Sequence, residues 1–138
     1  MLPDEFGRAH GTVNVILLSR QGCPYCHVVR RNYLQPLATQ QRDGIRVVEI
    51  RMDSERSLRD FSGRVTTHAQ FARAHGARFA PTVLFLGSDG RELAERIVGL
   101  SEDFFGAYLE AALQVASSAV RQAPGSSSAP ALPGTAGS

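Results

Sequence analysis

Both cysteines of this chain fall within one tetrapeptide, Cys23-Pro24-Tyr25-Cys26, shortly after the apolar run Val13 to Leu18. A continuous apolar run that ends at the turn-prone stretch Ser19 to Gly22 reads as a strand buried on both faces of a sheet, since a half-solvated strand would alternate polar and apolar side chains. Beyond the first cysteine, Val29, Tyr33, Leu34 and Leu37 recur at three- and four-residue spacing. Pro24 stands where the first turn of a helix tolerates a proline, so the spacing predicts a helix from Pro24 to about Gln40, bent or interrupted near Pro36. A strand that runs into a helix through a pair of thiols confines the fold to helices layered on a sheet, and it gathers all the thiol chemistry at one site. Two cysteines cannot make the multi-bridge framework of a small secreted domain.

The alternation continues along the chain. Asp43-Gly44 turns into Ile45 to Met52, rich in β-branched residues, which predicts a second strand parallel to the first through a right-handed crossover. Ser54 to Arg64 is irregular, with room for a short helix of its own. A second helix is expected over Thr66 to His75, with Ala69, Phe71, Ala72 and Ala74 as its apolar stripe. Ala80-Pro81 precedes the strand Thr82 to Leu86, and Ser88-Asp89-Gly90 joins it to a return strand over Glu92 to Val98, because an Asp-Gly turn between apolar runs marks a hairpin. Ser101 to Asp103 resembles a helix start. The closing helix that follows carries Phe104, Phe105, Tyr108, Leu109, Ala112, Leu113 and Ala116 on one face. The expected fold is α/β, in the order β-α-β-α-β-β-α.

At 138 residues the chain suits one globular domain. The predicted boundaries are an N-terminal extension over 1–12, which reads as polar and turn-prone, a domain over 13–122, and a Pro/Ser/Ala/Gly tail over 123–138 too poor in large apolar groups to offset its ordering entropy. No apolar run approaches the roughly 18 residues that cross a bilayer, so no membrane insertion is expected. The formal charge is +2 and the arginines are scattered, without the basic block of a nucleic-acid binder. No nucleic-acid partner is expected.

The tetrapeptide at a strand–helix junction, Met52-Asp53 at the end of the second strand, Phe79-Ala80-Pro81-Thr82, the Gly87 to Gly90 turn and Val98-Gly99-Leu100 together resemble the thioredoxin superfamily over roughly residues 13 to 120. More narrowly, CPYCHVVRRNYLQPL and TTHAQFARAHG before APTVLFL are similar to bacterial periplasmic thioredoxin-like proteins associated with sulfur oxidation. The resemblance implies a thiol–disulfide oxidoreductase without a cofactor or metal, acting as a monomer on protein disulfides. Cys23 and Cys26 would be catalytic: Cys23 at the start of the helix, where free backbone N–H groups and the dipole lower its pKa, and Cys26 as the resolving thiol. Pro24, Tyr25 and His27 would tune the site; the Pro-Tyr pair is the glutaredoxin type, more oxidising than Gly-Pro. Ala80 and Pro81, joined by a cis bond facing the cysteines, would bind substrate. The expected setting is the periplasm, with a membrane thiol–disulfide donor supplying electrons to a protein whose signal or anchor lies outside the stretch shown.

Several alternatives stay open. A cytoplasmic glutaredoxin-like protein fed by glutathione fits the same motif, and so does a redox-inert peptide-binding module. Cys23 to His27 also spells the CxxCH pattern of haem attachment, with Met52 or His68 as the distal ligand, against which the strands and the Asp-Gly hairpin argue. A zinc site from both cysteines with His68 and His75 lacks a matching second pair, so the histidines are expected to be exposed and polar. Against housekeeping thioredoxins, Gly22 replaces a tryptophan, and Leu17 stands where a buried acid is usual. Glu49, on the second strand, could substitute for that acid but reads first as a surface glutamate, because Glu is seldom buried unpaired.

Overall fold

The computed structural model describes residues 2–122; the predicted tail over 123–138 lies outside the described residues. The chain forms β1 (Val13–Ser19), α1 (Pro24–Val29), a π-helical segment (Arg30–Leu34), α2 (Gln35–Gln40), β2 (Ile45–Arg51), β3 (Ser57–Arg59), β4 (Val65–Thr67), α3 (His68–Ala74), β5 (Thr82–Leu86), β6 (Glu92–Val98) and α4 (Phe105–Arg121). The main sheet has the order β2-β1-β5-β6. Only β1 and β2 run parallel, while β5 is antiparallel to β1 and β6 to β5. All seven residues of β1 are buried, as a central strand covered on both faces requires.

Alternation along the strands sends two sets of side chains to opposite faces. Val13, Val15, Leu17, Val47, Val83 and Phe85 meet Val29, Leu34, Leu37, Phe105, Leu109 and Leu113 of the helices. Ile16, Leu18, Val48, Ile50, Leu84 and Leu86 meet Phe6, Leu58 and Phe71. The residues before β1 are therefore not only polar chain: Leu2 and Phe6 are buried, one in each cluster. The segment is tied along the outer side of β2, where Glu49 N–H donates to the Pro3 carbonyl at 2.8 Å and Arg46 Nε to that of Glu5 at 2.7 Å. Asn14 closes the strap by exchanging two hydrogen bonds with the Gly7 backbone, at 2.6 and 3.0 Å.

Three local expectations need correction. The interruption of the first helix is a π turn over 30–34, in which Gln35 N–H reaches the Arg30 carbonyl five residues back; Pro36 itself sits in the first turn of α2, where its missing N–H costs nothing. The stretch after Ser54 holds no short helix but the hairpin β3–β4, an antiparallel two-stranded sheet. The closing helix starts at Phe105 without a side-chain cap; Phe104 and Phe105 N–H instead donate to the Ser101 carbonyl, and Phe104 and Tyr108 face outward. The Asp-Gly turn forms as expected, with Gly90 at φ 87° and Asp89 Oδ1 accepting from Arg91 N–H at 3.0 Å.

Candidate functional site

β1 delivers the chain to the top of the sheet, and Gly22 at φ 73° turns it into α1. Cys23 is the extended residue that caps this helix, its Sγ accepting the Cys26 N–H at 3.1 Å. Three residues on, the helical path brings Cys26 back under Cys23, with Cα atoms 5.2 Å apart and the two sulfurs joined as a disulfide. The two differ in access, since Cys23 is partly exposed whereas Cys26 is buried. Pro24, Tyr25 and His27 are all exposed around the pair, Tyr25 with 61% of its surface open.

Register places the second expected segment at the same end of the sheet. Leu18 near the end of β1 pairs with Thr82 at the start of β5, so Ala80 and Pro81 enter the sheet at the end from which β1 leaves for the cysteine-bearing loop. The Ala80–Pro81 peptide bond is cis. Pro81 is buried, its carbonyl accepting from Gly99 N–H at 2.8 Å, while Phe79, two residues before it, and Val98, paired with Thr82, are exposed.

The helical stretch that carries the cysteines also joins a charged cluster that sequence reasoning placed differently. Glu49 is buried, not a surface glutamate. Its carboxylate accepts from Ser19 Oγ at 2.6 Å and takes both prongs of the Arg30 guanidinium, at 2.7 and 2.5 Å. Arg30 lies one turn past Cys26, to whose carbonyl its backbone N–H is directed, so the helix that carries the thiols also carries the partner that makes burial of Glu49 tolerable. Burial pushes the Glu49 carboxyl up, but the hydrogen bonds from Arg30 and Ser19 and the Arg30 charge outweigh it and hold it below the usual glutamate value. The same pairing raises Arg30 above the ordinary arginine value. Glu49 pairs in register with Leu17, so an acid absent from β1 stands one strand across. The only signal for this in the sequence was a Glu inside an apolar strand with an Arg on the preceding helix.

His68 is likewise buried, contrary to the expectation of an exposed polar residue. Its Nδ1 accepts the Arg51 N–H at 3.0 Å, which leaves the proton on Nε2 to donate to Asp4 at 3.1 Å. Burial pushes its pKa down, with the Asp4 hydrogen bond opposing only in part. His75 is also lowered, by burial and by Arg96, and its ring packs on Phe71 at 4.4 Å. Among the described residues no cluster of three or more His, Cys, Asp or Glu side chains is arranged to hold a metal. Asp53, just past β2, accepts from Gln21 N–H at 3.1 Å and pairs with Arg51 at 3.3 Å, fixing the loop that leads to Cys23.

A family model described as a thioredoxin-like domain matches residues 7–113. Among solved structures, the chain is similar to the thioredoxin of Malassezia sympodialis (Mala s 13), with a TM-score of 0.57 and 20% identity over 80% of this chain and 79% of that one. At that identity the likeness concerns the fold. No curated protein matches.

Proposed function

We propose that this chain, which belongs to the family of thioredoxin-like domains, is a thiol–disulfide oxidoreductase that reduces protein disulfides through Cys23 and Cys26. The observation that carries the reading is the pair itself: two cysteines at disulfide distance at the start of a helix, one accessible and one buried. A substrate disulfide can approach Cys23 but not Cys26, which assigns the order of events. The Cys23 thiolate attacks one substrate sulfur, a mixed disulfide forms, and the substrate S–S bond breaks with its departing sulfur taking up a proton. The Cys26 thiolate then attacks Cys23, releasing the second substrate thiol. Two electrons have moved to the substrate and the Cys23–Cys26 disulfide is restored.

Ala80 and Pro81 form the substrate-binding segment, with the exposed apolar side chains of Phe79 just before them and of Val98 on the strand paired with Thr82. Pro24, Tyr25 and His27 set the redox balance. A periplasmic reductase recharged by a membrane thiol–disulfide donor is the setting this reading favours. The test is reduction of insulin by the purified protein with dithiothreitol as the thiol source. Turnover that disappears in Cys23→Ser, with Cys26→Ser accumulating mixed disulfides on Cys23, supports the reading. A wild-type protein that binds disulfide peptides without turning them over overturns it in favour of a redox-inert binding module. Efficient recycling by glutathione in place of a dithiol overturns the periplasmic setting alone.

A further inference from the structure

We infer that the disulfides this site takes are flanked by acidic side chains of the substrate peptide, an inference that rests on the oxidoreductase reading above. A cleft of about 480 Å³ opens beside Cys23, and three arginines, Arg20, Arg30 and Arg51, line it together with His27; no Asp or Glu does. The three come from separate elements: the loop after β1, the helix after Cys26, and the end of β2. Scattered in sequence, they converge in space on the accessible cysteine. Two of the three have carboxylate partners outside the lining, one buried and one exposed. Glu49 is buried against Arg30, and Asp53 pairs with Arg51. Arg20 has no acidic partner among the described residues; its guanidinium reaches only the Arg78 carbonyl, at 3.5 Å, and its side chain is exposed.

Three guanidinium groups against two carboxylates leave the wall of the cleft positive, with an unused fork at Arg20. A guanidinium presents paired N–H donors that match a carboxylate, and it is more weakly hydrated than an ammonium, so it gives up water readily to such a partner. A carboxylate one or two residues from the substrate cysteine would enter this cleft as the substrate sulfur meets Cys23. A lysine there would meet like charge. The field acts within about 10 Å at 0.1 M salt, which limits the preference to residues next to the disulfide.

The experiment compares reduction of three peptide disulfides, identical except that Glu, Gln or Lys flanks the cysteine, by the full chain with dithiothreitol supplying electrons. The expected kcat/KM order is Glu, Gln, Lys, with about tenfold between the extremes at low ionic strength, in the range of electrostatic steering. The spread should collapse in 0.5 M salt. Arg20→Gln should lower the Glu-to-Gln ratio by at least half, whereas Arg121→Gln, which removes the same charge from the far end of α4, should leave that ratio unaltered. Because the readout is a ratio between substrates, a general change in Cys23 reactivity cancels. Equal rates for the Glu and Lys peptides, or a ratio indifferent to Arg20→Gln, overturn the inference while turnover of the Gln peptide keeps the oxidoreductase reading. Failure to reduce any of the three overturns both.

Discussion

The two faces of the sheet are covered in different ways. On one, Val29, Leu34 and Leu37 from the first helical stretch and a continuous stripe from Phe105 to Ala116 along α4 cover Val15, Leu17, Val83 and Phe85. On the other, three short stretches distant in sequence meet as an aromatic cluster: Phe6 stacks on Phe61 at 4.3 Å and meets Phe71 at a tilt at 4.9 Å, and Phe61 lies 6.2 Å from Phe71. The first face is held by elements with internal hydrogen bonding of their own. The second depends on a strap, a small hairpin and a two-turn helix, none of which would persist alone. Both cysteines stand at the start of α1, on the helical side.

The largest effect expected is on the helical face. Leu113 is fully buried, and Leu113→Ala should cost about 4 kcal/mol of global stability, because the hydrogen-bonded strands of the sheet on which α4 packs cannot collapse into the gap. Leu58→Ala, in the hairpin, should cost about 2 kcal/mol, at the low end for such substitutions, since β3 and β4 can move in. Urea unfolding of the two variants measures this, and equal losses would break the contrast. Native-state hydrogen exchange sharpens it: amides of β3, β4 and the 2–7 strap should open at lower free energy than those of β1 or α4.

Next in size is the charged cluster between the faces. Arg30→Met leaves Glu49 buried with Ser19 alone, and should cost about 2 kcal/mol at neutral pH. Because the folded Glu49 value is lowered from 4.5, its contribution is present above pH 4.5 and is lost as pH falls through the folded value. Glu49→Gln should therefore flatten the acid limb of the stability curve; an unchanged limb would remove the pair from the account.

His68 should show a smaller effect on the strap side. Its folded pKa lies below 6.5, so the unfolded chain binds the proton more tightly and stability, complete above pH 6.5, declines as pH falls toward the folded value. His68→Gln should cost about 1 kcal/mol at pH 7.5, with less decline on acidification than in the parent, measured by urea unfolding at pH 7.5 and 5.5. Smallest of all, Tyr25→Ala should change stability by under about 0.5 kcal/mol, as expected for an exposed side chain, while raising KM for a peptide disulfide.

Legibility followed the same division. The strands β1, β5 and β6, the Asp-Gly turn and the cysteine junction could be read because each is specified by neighbours in sequence. The hairpin at 57–67 could not, since Ser57-Leu58-Arg59 and Val65-Thr66-Thr67 are three-residue strands with one buried side chain between them, too short to show a period. The π turn hid inside a pattern that looked helical: Val29 and Leu34 are five residues apart and both fully buried, a spacing that an unbroken α-helix does not favour on one face. Glu49 and His68 share a different obscurity. Each takes its role from a partner 19 to 64 positions away, and pairing over that range leaves no local trace.

The strap over residues 2–7 also decides what the sheet can do to other molecules. An uncovered outer strand exposes a row of N–H and C=O groups that recruits strands from neighbouring chains and seeds edge-to-edge aggregation. On the β2 side that row is already engaged at its middle, where the Glu49 amide is satisfied by the Pro3 carbonyl. On the β6 side protection is of another kind: Glu92, Glu95 and Arg96 charge the strand, and its register with β5 is irregular. Fibril-like stacking would have to displace the strap over residues 2–7 at one edge and bury ions at the other.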